Sequence, residues 1–307
     1  HIFIINLKKI IGILLLLISE VVVAQLTPMS SHYMILQETR MPGLWGVNSE
    51  IDVLANIRAQ YTAITGAPIT TNAAFSMPLP YTKNHGIGAA IDYDKVVPLN
   101  FFEAHAGYNF LIPRDKFTIG VGAALGIKMA QINGAVLVTP TGDYNNTPDH
   151  NDPLLPSSIT KSVVPTIHVG VAFTNKLLTQ QIVITDVWTG DIKIMPNISK
   201  ISYGMSLQSL TKFNIGLGSN FSIEPSMYIV TNFKHFQHTL GAIGMFKNVI
   251  GLGVFSRGYT KNNFESLIPI IRAKPIKNMT IQYSYDALLN GLNKASNGTH
   301  ELSLKYE

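Results

Sequence analysis

Apolar residues recur at every second position in segment after segment of this chain, yet past residue 24 no run approaches the roughly 18 consecutive apolar residues that a membrane helix needs. In 51–61, Ile51, Val53, Ala55, Ile57, Ala59 and Tyr61 fall on one face, while Asp52, Leu54, Asn56, Arg58 and Gln60 fall on the other. A period of two belongs to a strand with one apolar face. It returns in 117–128, where Phe117, Ile119, Val121, Ala123, Leu125 and Ile127 alternate with small or polar residues. Strands are also expected at 69–78, 86–94, 100–110, 166–173, 177–186, 213–218, 221–230, 236–246, 249–257, 264–271, 279–286 and 299–306, about fourteen in all.

Composition decides what covers the apolar faces. Charged residues make up 13% of the chain, against roughly 25% in soluble domains, and mean hydropathy is positive. Lipid against the apolar faces and a polar lumen behind them satisfy both facts, whereas a soluble β-sandwich would expose those bands to water. Short connections such as 113–115, 174–176 and 247–248 interleave with long polar ones at 134–162, 187–212 and 288–298. That rhythm matches the inner turns and outer loops of an outer-membrane barrel. The expected fold is therefore all-β: a single transmembrane antiparallel β-barrel of about fourteen strands, in the outer membrane of a Gram-negative bacterium and in contact with its lipid.

Lys8 and Lys9 precede the apolar run 10–18, and Val22, Val23 and Ala24 supply small residues before Gln25. This reads as a signal peptide over 1–24, followed by a barrel domain over 25–307 whose first part, 25–46, is expected in the periplasm. The absence of cysteine excludes a disulfide scaffold, a thiol nucleophile and thiolate-bound zinc. The net charge of +5 comes without a basic-aromatic stretch, so no nucleic-acid partner is expected. No dinucleotide or nucleotide motif is present, and no cofactor is expected.

Glu103 and His105 sit at i and i+2 and so share a face. An adjacent acid and base could do proton-transfer chemistry. No nucleophile motif accompanies them, and the better reading is a lumen wall. The same face collects Asp52, Arg58, Asp92, Lys128, Glu224, Arg257, Asp286, Glu301 and Lys305 into a candidate polar network. No catalytic or metal site is expected: His235 and His238, at i and i+3, point to opposite faces of a strand, and the acidic loop 143–152 lacks the glycine and terminal glutamate of an EF-hand.

From Arg58 to Pro80, "RAQYTAITGAPITTNAAFSMPLP" resembles the PorP/SprF family of type IX secretion-associated outer-membrane proteins of Bacteroidetes-type bacteria, in which an R-x-Q-W strand leads through a G-A-P turn. Arg58, Gln60, Gly66, Ala67 and Pro68 match, with Tyr61 in the tryptophan's place. Further along, Pro225–Ser226, the strand ending at Arg257, and His300–Glu301 in "NGTHELSLKY" resemble the family's later motifs. The segment around Pro42 and Gly46 keeps little of the family's N-P-A-Y-A-G. The resemblance implies a non-enzymatic barrel that assists secretion, gliding and surface anchoring of cargo. The partners it implies are the C-terminal domains of secreted adhesin-like proteins and periplasmic, peptidoglycan-linked components. The alternative is a porin-like diffusion channel.

Overall fold

The computed structural model describes residues 30–307 apart from 49, 83, 146, 196–198, 202–203 and 260–262; the expected signal peptide lies outside the described residues. Fourteen strands form the wall: β1 (Asp52–Ala59), β2 (Ile69–Pro78), β3 (His85–Val96), β4 (Leu99–Pro113), β5 (Thr118–Asn133), β6 (Ile159–Thr174), β7 (Leu178–Thr189), β8 (Ser206–Phe213), β9 (Phe221–Thr231), β10 (Phe236–Phe246), β11 (Ile250–Tyr259), β12 (Asn263–Ile276), β13 (Met279–Leu288) and β14 (Thr299–Tyr306). Each pairs antiparallel with its sequence neighbours, and β1 pairs with β14, so the sheet closes and leaves no edge along the wall. Among the described residues no helix is long and apolar enough to cross a membrane. The crossing is made by strands.

Alternation assigns the two faces. In β1, Val53, Ala55 and Ile57 point outward and are exposed, while Asp52, Leu54, Asn56 and Arg58 are buried inward. Ile91, Leu125, Leu252 and Leu304 continue the outer apolar band on other strands. Both chain ends of the barrel lie at one rim. At the opposite rim stand the long connections 134–158, 190–205 and 289–298, so that rim faces the cell exterior. At the periplasmic rim, Lys247 and Asn248 take φ of 49° and 55° in a tight turn that the Val249 amide closes by donating to the Phe246 carbonyl at 3.0 Å, within the three-residue connection between paired Phe246 and Ile250.

One strand differs from the expectation. The run 213–218 alternates strongly through Phe213, Ile215 and Leu217, but the wall strand is Ser206–Phe213, inside what was read as loop. Its outward face includes Ser209 and Thr211, and it turns Gln208 and Leu210 inward, so its hydrophobic pattern is weak. The backbone ladder with Leu178–Thr189 on one side and Phe221–Thr231 on the other forms regardless of side chain. The loop 134–158 is tied together internally: an isolated bridge joins Asp143 to Asp149, and buried His150 bonds through Nε2 to the Pro156 carbonyl at 3.0 Å.

The lumen is filled. Residues 30–46, expected in the periplasm as part of 25–46, lie inside the barrel, and 25–29 lie outside the described residues. They include one helix, α1 (Tyr33–Arg40), with Tyr33, Met34 and Leu36 no more than 2% exposed. The wall meets this plug with apolar side chains where a water-filled pore would be polar. Ile35 and Leu36 pack on Leu54, Ala74 and Ala90, while Tyr33 and Met34 pack among Leu210, Ile243, Phe255, Ile268 and Ile270. Burying such side chains stabilises by about 1.5–3 kcal/mol each, which offsets the ordering of the segment.

Candidate functional site

Two side-chain clusters and one groove hold the plug. Toward the outer rim, Arg58 donates through Nη2 to Asp286 at 2.7 Å and through Nη1 to Glu301 at 2.8 Å, and Arg257 donates to Asp286 at 2.8 Å. All four side chains are 1% exposed or less. Ser31 sits at their centre: its amide donates to Glu301 at 2.7 Å, its hydroxyl donates to Asp286 at 2.9 Å, and both arginines donate to that hydroxyl. Two guanidinium groups facing two carboxylates balance in charge, so the cluster carries little net charge into the lumen. Beside it, Asn56 donates to Glu301 and Ser303, and His32 Nδ1 stands 2.6 Å from the Ser303 hydroxyl.

Midway, Arg40 at the end of α1 donates through Nε and Nη2 to Asp92 at 2.8 and 2.6 Å, and Asn72 also donates to Asp92. Nearby, Glu103 lies 3.4 Å from His105 Nδ1, 2.7 Å from His168 Nε2 and 3.3 Å from Lys128 Nζ. Lys128 reaches Asp186 at 2.5 Å, and Thr166 donates to the other Asp186 oxygen. His105 Nε2 donates to the Arg40 carbonyl at 2.9 Å, and its ring lies parallel to Trp45. Glu103 and His105 are therefore part of the wall that faces the plug, joined there by His168, which is distant from both in sequence.

His168 joins them across an intervening strand because that strand's inward positions, Ala124 and Gly126, are nearly bare. The rings of His105 and His168 come to 4.8 Å over that gap. A bulge in β7 then re-aims Asp186, which adopts φ of 57°: register jumps from Ile167↔Trp188 to Val169↔Ile184. The signal available in sequence was the small-residue lane of β5, but it does not say which strands flank it.

Toward the periplasmic rim the plug is seated by backbone. A Cβ added to Gly86 would stand 2.0 Å from the Trp45 carbonyl oxygen, one on Gly120 2.0 Å from that of Gly43, and one on Gly170 2.2 Å from that of Pro42. Gly88 lies under the Trp45 indole, whose Nε1 donates to the Thr39 carbonyl at 2.8 Å. Asn109 donates to the carbonyls of Gly43 and Trp45, both at 2.9 Å. The Gly46 amide then donates to Ser76 at 3.0 Å, at the foot of β2. Since Ser31 meets the outer ends of β13 and β14, the segment traverses the lumen before it enters β1.

The remaining singled-out residues lie elsewhere on the wall. Glu224 pairs with Arg272 at 2.6 Å, and Lys305 stands 3.6 Å from Asp52. Ser226, next to Pro225, bonds to the Tyr33 hydroxyl at 2.9 Å. His300 bonds to Tyr283 on the outer face at 2.7 Å. Gln60, Gly66, Ala67 and Pro68 line an open hollow of about 380 Å³ at the outer rim with Ile64 and Val97. Gly66 takes φ of 78° in that turn, a conformation natural to glycine.

The ring of antiparallel strands, its apolar girdle and its filled lumen define a plugged outer-membrane β-barrel. Over residues 22–306 the sequence matches the family model described as type IX secretion system membrane protein PorP/SprF, and the chain belongs to that family. Among curated proteins no match was found. Similar solved structures include the CymD monoaromatic hydrocarbon channel, at 8% identity and a TM-score of 0.46 over 91% of this chain and 93% of that one. The toluene transporter TodX of P. putida is 9% identical with a TM-score of 0.44, covering 83% and 86%, and the KdgM porin is 8% identical with 0.36, covering 83% and 98%. At these scores the likeness carries no argument about transport.

Proposed function

We propose that this type IX secretion membrane protein works by docking, holding secreted cargo at the cell surface while its periplasmic side engages the machinery, and that it is not a diffusion channel. The observation that carries the reading is the plug. A porin needs a continuous water path lined by polar groups, whereas here residues 30–46 fill the lumen, and the wall behind them is partly apolar. A surface that binds needs no pore. The outer loops 134–158, 190–205 and 289–298 offer the exterior contact area, and the short turns at the other rim offer the periplasmic one. Cargo is expected to be recognised through a C-terminal domain, and the periplasmic partner to be linked to peptidoglycan; either secretion or gliding would use the same contacts.

The test is a detergent pull-down of the tagged barrel from its native outer membrane, with mass spectrometry of whatever remains bound. Recovery of a large secreted protein through its C-terminal domain supports docking. Planar-bilayer recording of the same preparation supplies the opposing arm: the wild-type barrel is expected to be silent, and a variant lacking 30–46 to conduct. Steady conductance by the wild type, with the barrel repeatedly recovered alone, would return the porin-like reading.

A further inference from the structure

The lumen places Glu103 Oε1, His105 Nδ1 and His168 Nε2 within 4.8 Å of one another, and none of these three buried atoms has a hydrogen bond of good geometry. We propose that they form a binding site for one divalent metal ion of the zinc class, which staples strand β4 to strand β6 beside the plug.

The tautomer of His105 is the first support. Its Nε2 donates to the Arg40 carbonyl, so the proton of a neutral ring is on Nε2 and Nδ1 carries a lone pair. That lone pair faces a carboxylate oxygen at 3.4 Å. Two acceptors facing each other require a cation between them, either a proton or a metal ion. A backbone carbonyl on the distal nitrogen is also the usual outer partner of a metal-bound histidine.

Donor set and charge point the same way. Two imidazoles and one carboxylate are a zinc-type set with a fourth position left for water. Ligands around a tetrahedral zinc stand roughly 3.3 Å apart, close to the 3.4 Å between Glu103 and His105 and above the 2.7 Å between Glu103 and His168. Glu103 turns its other oxygen to Lys128, which also holds Asp186, so two carboxylates share one ammonium and the cluster keeps an excess negative charge. His168 must adjust: the Asp186 amide donates to its Nδ1 at 3.3 Å, which puts the ring proton on Nε2. Loading moves that proton to Nδ1 and opens this long contact. Because Arg40 belongs to α1, an ion on His105 ties the wall to the plug through one hydrogen bond.

The experiment uses the intact barrel purified in detergent from its native outer membrane, with zinc counted by plasma mass spectrometry after gel filtration, and with the visible spectrum recorded after Co²⁺ is supplied as probe. The wild type is expected to retain about one ion per chain, with a four-coordinate Co²⁺ spectrum. Glu103→Gln, which keeps the side chain's shape, and His168→Ala are expected to lose at least about tenfold in retained metal, and His235→Ala to lose none. Heat-modifiable gel migration reports whether each variant is folded. If a variant fails to fold, the wild-type count and spectrum decide alone. A wild type that retains no ion, or shows only a six-coordinate hydrated spectrum, overturns the proposal and leaves a proton as the cation between Glu103 and His105. Retention unchanged in a folded Glu103→Gln variant, or lost in His235→Ala, overturns it as well.

Discussion

The two ends of the plug are held by opposite means. At the outer end, Ser31 is gripped by Arg58, Arg257, Asp286 and Glu301 through charge-assisted hydrogen bonds. At the periplasmic end, Pro42, Gly43 and Trp45 rest on glycines in close steric contact, and the hydrogen bonds that accompany it, from Asn109 and to Ser76, are uncharged. The first arrangement is directional and can be undone by removing one charge. The second is steric, and a single methyl group undoes it. A segment held this way has a defined register at both ends, which an apolar helix sliding in an apolar tube would lack.

The largest break is expected from Arg58→Met. It leaves Asp286 and Glu301 buried with one cation between them, and truncating one partner of a buried ion pair costs about 3–5 kcal/mol. Denaturant unfolding of the barrel in detergent should show a loss of that order, and a null result would mean that water or the plug already screens the pair. Next comes Gly88→Ala. Its new methyl would stand 2.3 Å from the Trp45 ring, and overpacking of this kind costs about 1–3 kcal/mol. Displacement of Trp45 should show as a shift in intrinsic fluorescence and as new protease cleavage within 30–46. Both would be missing if the indole simply rotates aside.

Smallest is Tyr33→Phe, which deletes one hydroxyl and leaves Ser226 to bond elsewhere, worth about 0.5–1.5 kcal/mol. The comparison sharpens if Arg58→Met and Gly88→Ala are combined. If the two ends grip independently, their effects on unfolding add to within about 0.5 kcal/mol; strong coupling would show that the plug moves as one body.

Much of the wall is legible in the amino-acid sequence alone. Val53, Ala55 and Ile57 announce their face because neighbours two apart on a strand necessarily share a side, and that relation is local. The same rule misplaced the strand at 206–213, where outward Ser209 and Thr211 interrupt the hydrophobic signal between Leu207 and Phe213 and the ladder is imposed by flanking strands. The candidate cluster was half legible. Glu103 and His105 are neighbours on one strand, but His168 is 63 residues further along than His105 and arrives through two strand registers and a bulge.

The family motifs divide similarly: Arg58 and Glu301 are separate words in sequence and become partners because the first and last strands close the ring at Arg58↔Glu301. By itself, then, the sequence determined the strand type, the near count, the lipid-facing residues and the inward set, since each follows from a period of two repeated under low charge. What filled the barrel was decided by tertiary structure. An eight-residue helix has too few turns to stand alone in water. Its existence depends on the wall's inward Leu54, Leu210, Ile243 and Phe255, which only the closed ring brings together, while glycines on three strands seat Pro42, Gly43 and Trp45 just beyond it.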